Sequence, residues 1–373
     1  MKLCVPIVNR TNYSKLKPIL VDLRSIKEID LSIVASSSVL LARYGHGIDV
    51  IKSDGFQIDR EIDCSLMNDS HAAMAKTLGN SVSEHATYFA QTKPDALLVV
   101  GDRFDMLGAV LPAMLMNIPI IHIQGGEESG SVDDTVRDVI STMATAHLVA
   151  TKQAAQNLEK KGIDKTQIFH VGCPSVDYLS NLDLQFENLN SEINESFKTK
   201  IELRTSEPYL LVIFHPDTTT EEKIDVTKLI DSLLSLNTKI FLFYPNIDAK
   251  NSKYIQELAR FKKEENLIFV KNMRLESFAN LMAHAACMIG NSSAGIREAA
   301  SFGTPVVNIG SRQRNRERNN NTIDIDSHCK NIAPLVYKLM GKRFPRENIY
   351  NFPGATKRSI DVIVSTLKTI KNE

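Results

Sequence analysis

The chain has no net charge to offer: Lys+Arg and Asp+Glu each number 44 in 373 residues. That balance argues against nucleic acid or an anionic membrane as the main partner, so any preference for anions has to be local. No apolar run approaches the roughly 18 residues needed to cross a bilayer. The opening MKLCVPIVNR lacks a charged n-region, a long apolar stretch and a small-residue cleavage site, so a cytoplasmic, unprocessed protein is expected. Cysteine is sparse. Cys4, Cys64, Cys173, Cys287 and Cys329 are odd in number, scattered and without a C-x-x-C pair, which indicates neither a disulfide framework nor a zinc site. Cys4 and Cys287 read as small buried hydrophobes. G-x-G-x-x-G after the first strand, G-x-x-x-x-G-K-[ST] and G-x-S-x-G are all missing, which disfavours a nicotinamide enzyme, a P-loop NTPase and a serine hydrolase. No close group of His, Asp and Glu has metal-ligand spacing, so no metal is expected.

What is present is an ordinary globular composition, 43% hydrophobic and 24% charged, at a length that suggests about two to three domains. Apolar runs of strand length alternate with segments of helical period, the pattern of βα units in parallel sheets. Residues 5–8, 31–35, 96–100, 118–123, 147–150 and 168–171 read as strands of a first sheet. Helices fit between them at 13–23, 71–90, 106–116, 134–143 and 152–161. Residues 181–200 are polar and read as a connecting helical segment. A second series follows, with strands at 209–214, 239–244, 267–270, 286–290 and 305–309 and helices at 221–236, 251–261, 275–284, 294–302 and 332–341. The expected fold class is α/β, two Rossmann-like domains at 1–180 and 181–355, with a cleft between the carboxyl ends of their strands. Residues 356–373, with Ile360, Val362, Ile363, Leu367 and Ile370 at helical spacing, read as a closing helix.

Polar residues recur at the carboxyl ends of successive strands, where ligands of open sheets bind. The 289–298 stretch IGNSSAGIRE delivers Asn291, Ser292 and Ser293 to a helix start, whose N–H groups and dipole suit a phosphate. An ordinary N-cap is the plainer alternative. Other strand ends carry NRTNYSK, with Arg10 and Ser14; GDRFD, with Asp102 and Arg103; QGGEESGSVDD, ending in Asp133 and Asp134; then His215-Pro216, and PNID. Each has a bland reading: a capping ion pair for Asp102 with Arg103, a helix cap for Asp133, a structural imidazole for His215. His122 and His284 read as packed core histidines. The basic stretch 311–321 is either a solvated surface loop or a phosphate clamp.

Taken in order, RTNYSK, GDRFD, HIQGGEESGSVDDTVR, HPDTT, PNIDA, GNSSAGIRE and FGTPVVNIGSRQ resemble the hydrolysing UDP-N-acetylglucosamine 2-epimerase family. The similarity spans roughly residues 2–341. The resemblance implies a fold like that of GT-B glycosyltransferases, with the nucleotide mainly on the second domain and the C-terminal helix crossing back to the first. It implies elimination of UDP to a 2-acetamidoglucal, hydration to free N-acetylmannosamine, no cofactor, and a homodimer or homotetramer. By position, Arg10, Ser14, Arg103, His215, Asn246, Ser292, Ser293, Glu298 and Arg312 match the UDP-binding set, and His215 suits protonation of the departing phosphate.

On the sugar side the family pattern points to Asp102, to Asp133 and to an acidic residue after HI, where this chain has Gln124. Glutamine exchanges no proton near neutral pH. Asn12 and Asp138 are two further departures, from an acidic residue and from the histidine of an R-H pair. Glu127, Glu128 or Asp138 could stand in for the missing acid. A modified hexosamine is the other opening, with UDP-2,4-diacetamido-2,4,6-trideoxyglucose as the alternative substrate; a UDP-sugar-binding homologue with weak activity is a further reading. A GT-B glycosyltransferase is suggested by layout alone.

Overall fold

In the computed structural model of the chain, residues 1–66, 70–197, 200–215, 224–244 and 251–372 are described, the side chains of 251–253 excepted. The chain folds into two compact units. The first comprises Met1–Glu128, Val132–Tyr178 and Tyr350–Glu373, and the second Ser129–Ser131 and Leu179–Ile349.

The first unit holds a seven-stranded, wholly parallel sheet built from β1 (Lys2–Ile7), β2 (Asp30–Ser36), β3 (Arg60–Ile62), β4 (Ala96–Val100), β5 (Ile120–Ile123), β6 (Ala146–Val149) and β7 (Ile168–His170), in the order β3-β2-β1-β4-β5-β6-β7. The second holds a six-stranded parallel sheet of β8 (Tyr209–Ile213), β9 (Lys239–Phe243), β10 (Leu267–Val270), β11 (Cys287–Gly290), β12 (Val306–Ile309) and β13 (Thr322–Ile325), ordered β10-β9-β8-β11-β12-β13. Each order reverses direction once, between β1 and β4 and between β8 and β11. These reversals are the topological switch points of a doubly wound sheet, where the first crossovers leave to opposite sides and open a crevice.

Why these residues form central strands is plain from burial. Ala96–Val100 (ALLVV) and Tyr209–Ile213 (YLLVI) are buried at every position, as continuous apolar runs must be when helices cover both faces of a parallel sheet. The two strands that the hydrophobic pattern does not reveal, β3 and β13, lie at sheet edges and are short and polar (REI and TIDI). Edge strands bury little and so carry little apolar signal. The sheets therefore have seven and six strands where six and five were expected.

Helix Ala355–Asn372 returns to the first unit. Its Ile363 and Leu367 share a core with Leu16, Leu20 and Leu23 of helix Arg10–Leu23, and each such side chain contributes ~1.5–3 kcal/mol on burial. Cys4 and Cys287 are buried in strands, as expected of small hydrophobes. Among the described residues no helix is long and apolar enough to cross a membrane.

Candidate functional site

At the first switch point, β4 ends at Val100 and the chain turns through Gly101, whose φ of 84° lies in the left-handed region that glycine adopts cheaply. The carbonyl of Gly101 accepts from Nε2 of His122 at 2.9 Å, so Nε2 carries the proton and Nδ1 accepts from the Ser141 hydroxyl at 3.1 Å. Burial pushes His122 down to about 3, so it is neutral. The packed core histidine expected on this strand is thus a brace between the end of β4 and helix Val132–Met143. Asn12, which departs from the acidic residue of the family pattern, donates from Nδ2 to the Val100 carbonyl at 3.2 Å. An ionised acid there would have no proton to give.

A fully buried cation at this end is Arg137. It is 1% exposed on helix Val132–Met143. Its Nη2 donates to Oδ2 of Asp102, and its Nη1 donates both to Oδ1 of Asp134 at 2.6 Å and to the Glu127 carbonyl oxygen. Burial alone would lower the guanidinium's pKa, but the charges of Asp102, Glu127 and Asp134 outweigh it and raise the pKa above the ordinary arginine value. Arg137 closes the motif HIQGGEESGSVDDTVR, but its role is not readable there, because it depends on three segments meeting. Asp133 lies within the first turn of the same helix, which begins at Val132; it therefore does not cap the helix, and its charge there suits the dipole.

Gln124 follows β5 with φ 68° and is 3% exposed, an uncommon conformation for a residue with a Cβ. Its amide Nε2 donates to the Cys173 sulphur at 3.5 Å, and that sulphur lies 3.2 Å from the Ser175 hydroxyl. Of the three acids offered in its place, Glu128 is exposed and Asp138 pairs with Lys161 at 2.6 Å on the helix exterior. Glu127 is buried beside Arg137. The structure thus takes Glu128 and Asp138 out of the cluster and leaves Glu127 in it.

The cationic residues expected to meet phosphate are partly buried. Arg10 opens helix Arg10–Leu23, and burial pushes it down to about 10. Ser14 spends its proton on the Arg10 carbonyl at 3.0 Å, leaving its oxygen able to accept. Arg103 is 7% exposed, its Nε 3.8 Å from Oδ1 of Asp105, whose other oxygen accepts from Ser37 at 2.9 Å. A basic residue absent from the expected set, Lys15, has its Nζ 3.8 Å from where a Cβ on Gly101 would stand. It closes the motif RTNYSK, which is the sequence signal for it.

At the second switch point the organiser is Asn291. Its side chain accepts from the His215 N–H and donates to the His215 carbonyl, both at 2.8 Å, which ties the end of β8 to the end of β11. Its own carbonyl accepts from Nη1 of Arg312 at 3.1 Å and from Nε2 of Gln313 at 3.2 Å. A Cβ on the preceding Gly290 would stand 1.9 Å from the Ile213 carbonyl oxygen, so only glycine fits. Ser292 is the N-cap of a short helix, Ser293–Arg297, its hydroxyl accepting from the Ala294 N–H at 3.4 Å. The single helix expected over 294–302 is therefore two pieces, the second a 3-10 turn Ala299–Phe302 ended by left-handed Gly303. With so few aligned peptides the macrodipole is small, and any anion affinity here rests on hydroxyls, N–H groups and Arg312. Glu298, joining the two pieces, is buried.

The loop 311–321 is only in part a solvated surface segment, with Arg314, Asn315 and Asn320 exposed. Gln313, Arg316, Asn319 and Asn321 are buried, and Arg316 donates to Gln313 at 2.8 Å, Asn319 to the Ile296 carbonyl at 2.9 Å and Asn321 to the Thr304 carbonyl at 2.7 Å. His284, expected in the core, is part-exposed and bonds through Nδ1 with the Asn280 carbonyl at 3.1 Å. Asn246 and residues 216–220 lie outside the described residues. Among the described residues no group of three or more His, Cys, Asp or Glu is placed to hold a metal ion.

Comparison with known proteins agrees with this architecture. The family model for UDP-N-acetylglucosamine 2-epimerase matches residues 22–364. The chain is 34% identical over 363 residues to a UDP-N,N'-diacetylbacillosamine 2-epimerase (hydrolyzing) of Legionella pneumophila, covering 97% of this chain and 94% of that one. It is 29% identical to a UDP-N-acetylglucosamine 2-epimerase of Neisseria meningitidis, covering 94% and 91%. Among solved structures, a UDP-GlcNAc 2-epimerase from Neisseria meningitidis bound to UDP-GlcNAc superposes with a TM-score of 0.77 over 98% of this chain and 100% of that one, at 19% identity. A Methanocaldococcus jannaschii UDP-GlcNAc 2-epimerase in complex with UDP-GlcNAc and UDP superposes with a TM-score of 0.75 over the same shares, at 18% identity. Two doubly wound parallel units of the GT-B type, carried by a sequence that the family model matches over most of its length, make this chain a member of the UDP-N-acetylglucosamine 2-epimerase family.

Proposed function

We propose that the protein is a hydrolysing 2-epimerase that converts UDP-N-acetylglucosamine and water to free N-acetylmannosamine and UDP. The observation that carries this reading is the set of carboxylates gathered about Arg137 at the ends of β4 and β5. Such a group suits proton transfer at carbon and offers nothing to redox chemistry. In the first step a carboxylate takes the proton from C2, the C2–H electron pair forms the C1=C2 bond of the glycal, and the C1–O bond breaks with its pair on UDP. In the second, water adds its hydroxyl to C1 and a proton is delivered to the opposite face of C2, which inverts that centre. The sum is one water consumed and no electrons exchanged.

Charge accumulates on the diphosphate as C1–O breaks. Arg10, Arg103, Arg312, Ser292 and Ser293 are the groups we assign to it, with Glu298 to the ribose hydroxyls and His215 to the departing phosphate. Dipoles and cations fixed beforehand favour the transition state over the ground state. Asp133 and Glu127 are assigned to the C2 proton, and Asp102 to the sugar end. Gln124, lacking an exchangeable proton, is assigned a hydrogen-bonding role.

A second reading concerns the sugar alone. The relatives from Legionella pneumophila and Campylobacter jejuni are named for a diacetylbacillosamine substrate, which favours testing a 2,4-diacetamido-2,4,6-trideoxy sugar beside the simple one. Incubation of pure protein with each UDP-sugar in deuterated water, followed by NMR, is the decisive experiment. The expected result is free 2-epimerised sugar carrying deuterium at C2 together with UDP. Product still attached to UDP would point to the non-hydrolysing reaction, and no UDP from either sugar would overturn the proposal.

A further inference from the structure

We infer that Arg137 is a positioning residue that holds Asp102 in place as a permanently charged carboxylate, so that the proton removed from C2 does not reside on Asp102 at any step. The inference rests on the epimerase reading for its chemistry and on the first unit's geometry for its assignment.

Arg137 is among the largest fully buried side chains of the molecule. A guanidinium removed from water is tolerable only while its charge is matched and its protons are used. Here Asp102 takes Nη2, while Asp134 at 2.6 Å and the Glu127 carbonyl share Nη1. Protonating Asp102 would leave that buried cation short of a partner, a cost that a general base has to avoid each time it works. Asp102 is therefore badly placed to carry a proton and well placed to orient a substrate.

Other contacts hold the same geometry. The Gly101 carbonyl, one residue before Asp102, is held by His122, whose other ring nitrogen accepts from Ser141, one turn beyond Arg137 on the same helix. The end of β4 is thus joined to helix Val132–Met143 twice, once by ion pair and once by neutral imidazole. Both joints hold Asp102, at the end of β4, in a fixed position relative to the helix that carries Asp133. Arg137 in addition ties down the backbone of Glu127. One side chain consequently fixes the relative positions of the segments that hold all three sugar-side acids. Of the proposed proton carriers Asp133, which stands apart from the charges that balance Arg137, is the one this geometry favours over Asp102.

The test uses Arg137→Lys and Asp102→Asn in the full chain. Lysine keeps a charge but cannot hold three acceptors in a fork. With the substrate that the wild type turns over, Arg137→Lys is expected to lower kcat about tenfold or more with little change in KM, while the acid limb of the pH–rate profile stays where it is. If Asp102 were the base, weakening its cation would move that limb to higher pH, and such a shift overturns the inference. In the Asp102→Asn background, Arg137→Lys is expected to add much less than tenfold, because the two act as a unit; full additivity counts against it. A readout independent of turnover is carboxyl titration by ¹³C NMR, with Asp102 assigned from Asp102→Asn. In the wild type Asp102 is expected to stay ionised throughout the neutral range. Titration there refutes the inference even if no UDP-sugar is consumed, whereas an ionised Asp102 in a protein that releases no UDP refutes the epimerase reading alone.

Discussion

The ends of β4 and β5 in the first unit lie beside its switch point and the ends of β8 and β11 in the second lie at its own, yet the two are wired differently. In the first, a buried cation gathers acids: Arg137 bonds to Asp102, to Asp134 and to the Glu127 backbone. In the second, a neutral amide gathers backbone: Asn291 closes a two-way bond with His215 and offers its carbonyl to Arg312 and Gln313. On the proposed function, the difference follows from what each end would have to meet. Proton exchange at carbon needs carboxylates whose separation and charge are fixed, and a counter-cation provides both. A diphosphate arrives with its own negative charge, so its site needs donors that are rigid but not already neutralised, and an amide can hold them without competing for the anion.

The largest effect should come from breaking the acid side. Replacing Asp133 by Asn is expected to lower kcat by about 10²–10⁴, the usual contribution of a positioned acid or base, while calorimetry finds UDP binding unchanged. A comparable loss of UDP affinity would mean that the two ends do not divide the work as proposed.

Next in size is the neutral clamp. Asn291→Leu leaves the buried N–H and C=O of His215 without their partner, at a cost of about 1–3 kcal/mol. Through the loosened Ser292 and Arg312 the expected result is UDP binding weaker by about ten- to a hundredfold, measured by calorimetry. The carboxyl titration of Asp102 should be unmoved. If that titration changes as well, the two ends are coupled and do not act as separate sites.

Part of this is legible in the sequence alone. The central strands announce themselves because strands buried on both faces are continuous apolar runs, and the polar residues at their ends stand out by contrast. The edge strands β3 and β13 stay hidden because three or four half-exposed residues carry no pattern. At the sites, Asp102, Asp133 and Ser292 are visible as motif residues, and so are Asn291 and Arg137, but that the last two are the organisers is not. Arg137 acquires its meaning from being buried among segments that begin 35 residues away, and Asn291 from a partner 76 residues away. The loop 311–321 is ambiguous for the same reason in reverse: Asn319 and Asn321 are spent on backbone carbonyls that only the fold supplies. The departure at Asn12 looks like a lost acid in the sequence and proves to be a hydrogen-bond donor to the end of β4 in the structure.

Acid offers a smaller and more graded way to separate the two regions. Burial pushes His85 to about 4, His122 to about 3 and His147 to about 4, from an ordinary 6.5, and all three lie in the first unit. Between those values and 6.5 the unfolded chain binds more protons than the folded one, so stability rises with pH in that window. The contribution is complete above about 6.5 and is lost as pH falls toward 3 to 4. Hydrogen exchange followed by mass spectrometry should therefore show the β4 to β6 segments losing protection before β8 and β11 as pH is lowered. Simultaneous loss would mean that these histidines do not set the acid limit.

The smallest expected effect falls on the residue that departs most visibly from the family pattern. Gln124→Glu puts a carboxylate where the amide now donates to the Cys173 sulphur. An ionised acid has no proton for that bond, and loss of a neutral hydrogen bond costs about 0.5–1.5 kcal/mol. If Glu127 beside Arg137 and Asp133 on helix Val132–Met143 already supply the proton traffic, the new acid adds no step, and kcat is expected to change by no more than about threefold to tenfold, the span of that bond's energy. A rise of several orders of magnitude would have a different meaning. It would show that the chain lacks its base, that Glu127 does not replace it, and that the first unit binds a sugar whose proton it moves poorly. Assaying the variant on both UDP-sugars separates a repaired base from a changed preference, because a base raises turnover of each sugar alike and a specificity contact raises one at the expense of the other.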